Sequence, residues 1–187
     1  MTKRPDILLI HTDQQRGDCL GCEGHPVLET PVMDNLAANG VRFNRFYAAC
    51  PVCVAARRSI MFGQSPQKHR VISNASLEVS DSVPSLPRVL KENGYQTYHV
   101  GRDMHLHPPR KRYGFDDMEI MSGQYRNCYG EYEEWFRRNA PAGAADQGTY
   151  QGGILHNDWN VYPWSLPDYL HPTNWTVARA LRFIERR

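Results

Sequence analysis

The apolar positions of this chain alternate between short continuous runs and helical spacings. Asp6-Ile7-Leu8-Leu9-Ile10-His11-Thr12 is a continuous apolar run closed by polar residues, the pattern of a strand buried in a parallel sheet. Thr30 stands at an N-cap position with Pro31 behind it. Val32, Leu36 and Ala37 supply an apolar face, and Gly40 ends the helix. Val41 to Ala48 alternates as a second extended segment. Val54 to Phe62 has helical spacing, beginning just after Cys53 and stopping at Gly63. Ser82 to Asn93 reads as a further helix with Gly94 as its C-cap, and Tyr95 to Val100 as a strand ending at Gly101. Strand, helix and strand at this spacing predict βαβ units: an α/β fold whose mostly parallel sheet is flanked by helices.

The texture changes at Pro108. As far as Pro172, Gly, Pro, Asn and aromatic residues dominate, with one helix expected from Tyr129 to Arg138. Such a segment reads as partly irregular and pocket-shaping. Asn174 to Arg187 is again helical, capped by Thr173 or Asn174. Trp175, Ala178, Leu181, Phe183 and Ile184 are expected to face inward, and Arg186 and Arg187 suit the negative end of the helix dipole. The expected organisation over 1–187 is therefore a βα core at 1–107, an irregular segment at 108–172 and a closing helix at 173–187. An α/β domain that ends on such a helix is expected to continue into another strand.

Composition narrows the class. At 187 residues the chain is long enough for one sizeable core. Its 41% hydrophobic and 22% charged residues are those of an ordinary globular protein, and a net charge of +2 argues against nucleic-acid and membrane-surface partners. No apolar segment is long enough to span a bilayer. The run behind the basic Met1-Thr2-Lys3-Arg4 is too short for a signal-peptide core, so a cytoplasmic location is expected. Five cysteines, an odd number in a chain of this length, read as reduced thiols.

Two places carry candidate chemistry. Asp13 lies at the carboxyl end of the first predicted strand, the edge at which open α/β sheets bind ligands. Its carboxylate and the neutral oxygen of Gln14 suit a hard divalent cation. Read singly, Asp13 can equally cap a turn. Cys53 precedes a helix, whose free N–H groups attract anions and lower a thiol pKa. Arg57 follows one turn on, with a fork of donors that matches sulfate or phosphate oxygens. Read singly, these two are a buried structural thiol and a surface cation. Cys19-Leu20-Gly21-Cys22 and Cys50-Pro51-Val52-Cys53 form two CxxC pairs, the elements of a four-cysteine zinc module, although the gap between them would hold a whole helix and strand. His25, His107, His156 and the four tryptophans read as loop or packing residues.

Taken in order, the motifs resemble the sulfatases of the alkaline-phosphatase superfamily, in the branch of choline-sulfatases and phosphonate monoester hydrolases. The likeness begins at Pro5-Asp6-Ile7-Leu8-Leu9-Ile10-His11-Thr12-Asp13-Gln14-Gln15-Arg16. It continues through Thr30-Pro31-Val32-Met33-Asp34-Asn35-Leu36-Ala37 to Cys53-Val54-Ala55-Ala56-Arg57, which fits a C-x-[P/A]-x-R signature. Gly63 to His69, Gly94 to Arg102 and Leu166 to Thr173 follow in the family's order. The resemblance implies a hydrolase of sulfuric esters, small-molecule or carbohydrate, that uses a formylglycine made from Cys53 by a separate maturation enzyme. It implies a divalent metal, calcium or else magnesium or manganese, held by Asp13, Gln14 and residue 53. One hydroxyl of the aldehyde hydrate would attack sulfur as the alcohol leaves, and the other would then drive out sulfate. Arg57, Arg102, His105 and His69 would complete the site. Arg102-Asp103-Met104-His105 departs from the family's Gly-Lys-x-His, Arg70 stands where glycine is usual, and Ala55 replaces the commoner proline. The acid, lysine and histidine that family members carry in their C-terminal half are not identified in this sequence. The isolated chain is accordingly expected to hydrolyse sulfate esters poorly or not at all. A phosphodiesterase or phosphonate monoester hydrolase, and a non-catalytic fragment, remain the alternatives alongside the zinc module.

Overall fold

The computed structural model, which describes residues 4–74, 80–102, 108, 110–121, 130–144 and 163–186, divides into two compact units, Met1–Tyr47 and Ala48–Arg187. Every residue of its described core belongs to the second.

In the first unit the expected strand at 6–12 makes no ladder. Ile7, Leu8, Leu9 and Ile10 are all exposed, Ile10 to 72%. A strand exists only when a neighbour takes up its N–H and C=O groups, and no described segment pairs with this one. The alternating residues 41–48 are likewise without a ladder. The expected helix forms as α1, Pro31–Asn39, with Pro31 in its first turn. Thr30 sits at the N-cap, but its side chain does not accept a helix N–H. Its hydroxyl accepts the Gly21 N–H at 2.8 Å and donates to Asp34 Oδ1 at 2.9 Å, which also accepts the Cys22 N–H at 2.9 Å. These bonds, led by the one from Cys22, hold the Asp34 carboxyl below its ordinary range. Val32 and Leu36, the expected inner face of α1, are exposed.

The second unit builds on α2, Cys53–Phe62, which Gly63 stops in a left-handed C-cap at φ 59°, its N–H returning to the Ser59 carbonyl. A short α3, Pro66–His69, follows. The next helix, α4, spans only Leu86–Glu92, shorter than the apolar pattern implied. Pro87 has no N–H and is tolerated only in a first turn, so the start falls at Ser85, whose hydroxyl accepts the Arg88 N–H.

Two parallel strands form the sheet, β1 (Tyr98–Arg102) and β2 (Asp117–Met121), with Tyr98 opposite Asp117 and Arg102 opposite Met121. β1 begins later than the alternation at 95–100 predicts. Thr97 is taken by a side chain instead of a ladder: Asp116 Oδ2 accepts its N–H at 2.9 Å and its hydroxyl at 3.1 Å. β2 lies inside the stretch that reads as irregular, because five residues with one fully buried position show little alternation.

Helix α5, Glu131–Asn139, packs on β2, and α6, Pro172–Glu185, packs on β1. Tyr132, Phe136, Leu170 and Trp175 form the aromatic core between them, joined by Val100 and Met121 from the strands. The Tyr132 hydroxyl donates to the Leu170 carbonyl at 2.8 Å, so this polar atom is satisfied inside the core. α6 starts at Pro172 under a His171 cap, and Asn174 instead donates to the Asp168 carbonyl. Its buried face is also not the purely apolar one expected. Leu181 and Ile184 are about half exposed, whereas Phe183 stacks on Tyr98 at 4.2 Å. Arg179 bonds Glu119 at 3.0 Å and lies over Trp175. Glu119 in turn accepts the Tyr98 hydroxyl at 2.9 Å.

Asp116 ties α4, β1 and β2 together, since Lys91 reaches its Oδ1 at 2.6 Å while Thr97 occupies Oδ2. Lys91 first, then the Thr97 N–H, depress its carboxyl to about 2, from 3.8. A depressed carboxyl stabilises the fold above its unfolded pKa and loses that effect as pH falls through its folded one. Asp116→Asn is therefore expected to lower the thermal midpoint at pH 7. The gap from the native chain should close between about pH 4 and pH 2 when midpoints are followed by circular dichroism.

Candidate active site

Cys53 is the first residue of α2, with Val52 extended as its N-cap and no side chain capping from that position. The first N–H groups of a helix have no intrahelical acceptor and carry the positive end of its dipole. One of them is satisfied from afar: Asn74 Oδ1 accepts the Val54 N–H at 3.3 Å. Val54 and Ala55 are buried against Val71, with Cys50 and Val52 packed beside them. Cys53 is half-buried and not in a disulfide, as are Cys19, Cys22 and Cys50.

Arg57 lies one turn beyond Cys53, and residues four apart share a helix face. It is only 4% exposed, so it is no surface cation. Arg58, next to it, is also buried, and burial pulls its guanidinium down from its ordinary range. A helix that carries two buried guanidinium groups within two turns of its N-terminus favours negative charge at that end.

His69 stands across from the middle of α2. Its Nδ1 accepts the Val71 N–H at 3.1 Å, which leaves the proton on Nε2, 3.0 Å from Ser59 Oγ. Burial, and after it the nearby Arg58, lower its pKa. At neutral pH the ring is therefore uncharged and both nitrogens are engaged within the protein.

Arg102 closes β1 at the carboxyl edge of the sheet. His99 Nε2 donates to the Arg102 carbonyl at 3.1 Å, and the His99 ring lies 5.3 Å from that of Phe115. Gly101 precedes Arg102 at φ 115°, with Thr176 of α6 so close that an added Cβ would meet its Cγ2 at 3.2 Å. His105 lies outside the described residues.

Asp13 and Gln14 belong to the first unit, Met1–Tyr47. Gln14 has φ 55°, a conformation sparsely used by residues other than glycine and concentrated at functional sites. One carboxylate and one amide oxygen on consecutive residues have the donor chemistry that suits a hard cation, but are two of the six or more oxygens that such an ion takes. Among the described residues no group of three or more His, Cys, Asp and Glu side chains gathers to hold a metal. No described helix is long and apolar enough to cross a membrane.

The Sulfatase family model matches residues 5–164 of this sequence. The chain belongs to the sulfatase family. It is 32% identical to an arylsulfatase of Clostridium perfringens over 98% of this chain and 40% of that protein. It is 30% identical to a choline-sulfatase of Rhizobium meliloti over 95% and 40% of the two. This sulfatase-family chain thus spans well under half the length of these curated relatives. Among solved structures, the phosphonate monoester hydrolase of Agrobacterium radiobacter superposes with a TM-score of 0.76 over 98% of this chain and 38% of that one, at 24% identity, which shows the shared α/β fold. BT4656, solved with its substrate D-glucosamine-2-N,6-O-disulfate, matches at 32% identity and a TM-score of 0.59 over 65% and 24%.

Asn74 and Ser59, which no motif in the sequence marks, also hold this region, as does His99, which lies within the motif at 94–102 with no role assigned by it. Each acts through a bond to a residue that its own local pattern does not identify. Gly101 is open to direct test. Gly101→Ala forces an L residue to φ 115° and presses on Thr176, so a loss of about 1–3 kcal/mol is expected from urea unfolding. Repeating it with Thr176→Ser should relieve the contact and leave the backbone strain.

Proposed function

We propose that this chain carries the nucleophile-bearing part of a metal-dependent sulfuric ester hydrolase, with Cys53 as the precursor of formylglycine. The observation that carries the reading is the pairing of Cys53 at the first position of α2 with a buried Arg57 one turn on, in a chain of the sulfatase family. A formylglycine hydrate at position 53 would supply two hydroxyls on one carbon, one to attack sulfur as the alcohol leaves and a second to drive out the sulfate that a thiol alone would retain.

The chain's own residues then have assignable work. The open N–H groups at the start of α2 and the Arg57 fork receive the oxygens of a sulfate group, and their burial strengthens that attraction. Asp13 and Gln14 are the candidate ligands of a divalent cation, calcium or a similar hard ion, whose positive charge would assist sulfuryl transfer. Arg102, at the carboxyl edge of the sheet, is a second guanidinium for the anion. His105, three residues further, is the candidate donor of a proton to the leaving alcohol. His69 belongs to the same neighbourhood.

The substrate class we favour is a small-molecule or carbohydrate sulfate ester, in keeping with the arylsulfatase and choline-sulfatase relatives. Monoesters of phosphonate are the second reading, favoured by the structural likeness to a phosphonate monoester hydrolase. A separate maturation enzyme would convert Cys53, and a cytoplasmic setting accords with an odd number of cysteines, five, in a chain of this length.

Mass spectrometry of the peptide containing Cys53 is expected to find aldehyde in place of thiol after co-expression with a maturation enzyme. The isolated chain is expected to turn over 4-nitrophenyl sulfate poorly; in a protein that carries this chain and does turn it over, Arg57→Ala and the folded control Arg57→Lys should lower the rate by about 10²-fold or more, and chelation of divalent cations should suppress it. An unmodified thiol in a protein that turns over the ester would sink the mechanism. Faster hydrolysis of a phenylphosphonate monoester would favour the second reading.

A further inference from the structure

We infer that His69 is a positioning residue for Cys53 and Arg57, acting through Ser59 and Val71 and not on the ester itself. The inference rests on the reading of α2 as the nucleophile helix.

Both ring nitrogens of His69 have partners inside the protein. The Val71 N–H can only donate, so the nitrogen it meets at 3.1 Å, Nδ1, is the unprotonated one. The ring's one remaining proton is then on Nε2, and its partner at 3.0 Å is the Ser59 hydroxyl, in the middle of α2. A general acid or base must exchange a proton with the reacting group. Here the one nitrogen that could take up a proton is already bonded to a backbone donor. Protonating Nδ1 would break that bond and place a second cation beside the buried Arg58, the charged neighbour that faces the ring.

These bonds reach the far end of the helix through residues 70–74. Val71, whose N–H His69 holds, is 2% exposed and packs on Val54 and Ala55, the two residues directly after Cys53. Three residues later Asn74 accepts the Val54 N–H. Segment 69–74 is thus a brace along α2. It grips the helix centre through His69 and Ser59, the first turn through Val71, and the first N–H groups through Asn74. His69 is where the brace turns, since the same ring bonds both the helix and the segment. Arg70 behind it has φ 58°, so the chain reverses there under strain that the two ring bonds help to hold. Displacing the helix start would move residue 53 and Arg57 together relative to the bound anion.

The test is a variant series in the full chain: His69→Ala, Ser59→Ala, the double variant and His69→Gln. The glutamine amide can still donate to Ser59 but cannot shuttle protons. On 4-nitrophenyl sulfate each single alanine variant is expected to lose about tenfold in kcat with KM nearly unchanged. The double variant should lose no more than either single one, and His69→Gln should recover most of the loss with the native pH profile. A glutamine variant as poor as the alanine one, with a limb missing from the pH profile, would make His69 a catalytic acid or base and overturn the proposal. Additive losses in the double variant would also overturn it. The same series is read on the unconverted thiol by the rate at which iodoacetamide alkylates Cys53, followed by mass spectrometry. That rate is expected to shift by about threefold or more, equally in the single and double alanine variants and not in His69→Gln. Unchanged rates throughout would reject the brace. If the native chain turns over no ester, as expected of the isolated chain, the mass of the Cys53 peptide decides the reading of α2 and the alkylation series decides the role of His69.

Discussion

The position of the first turn of α2 is the constraint on which the site depends. Val54 and Ala55 are buried against Val71, and this small apolar contact sets where the helix begins and therefore where residue 53 stands. The contact is non-directional by itself. It is made specific by two polar bonds at its ends, Asn74 to the Val54 N–H and His69 to Ser59. A helix N-terminus attracts anions wherever it occurs, but only a fixed one can present a nucleophile and a guanidinium at a constant offset.

The second element of the region is held by a different kind of force. Arg102 ends a strand whose position follows from the aromatic cluster of Tyr132, Phe136, Leu170 and Trp175, and from α6 lying against it. Gly101 lets α6 approach by having no Cβ to meet Thr176, and His99 fastens the Arg102 carbonyl. The polar links of Arg179, Glu119 and Tyr98 then fix how α6 lies on the strand, which an apolar face alone would leave free to slide. Helix α2 and the strand edge are thus positioned by separate cores within one unit.

Much of this is legible from local pattern. Helix α2 with its glycine stop and α1 with Pro31 are visible with their ends, and α5 and α6 as spacings of apolar residues whose starts the structure places at Glu131 and Pro172, because helical hydrogen bonds close within four residues. Strands are less visible, because a ladder needs a partner from elsewhere. The most apolar run of the chain, Ile7 to Ile10, makes no ladder with any described residue, whereas β2, with a weaker pattern, is a strand because β1 lies beside it. The inner face of α6 departs from its apolar spacing for a similar reason: Phe183 and Arg179 are drawn in by Tyr98 and Glu119, leaving Leu181 and Ile184 half exposed.

For the site, the sequence alone determined the residue types and their order: an acid and an amide after an apolar run, a cysteine opening a helix, an arginine one turn on, and a guanidinium after a later strand. It could do so because these are relations between near neighbours, and because the ordered motifs are those of the sulfatase family. Only tertiary structure decided that Arg57 is buried, which nitrogen of His69 bears the proton, and that Asn74 reaches the helix start. Each of those is settled by a partner that the residue's own neighbours do not predict. Burial and protonation are properties of the surroundings, and surroundings exist only once the chain has folded.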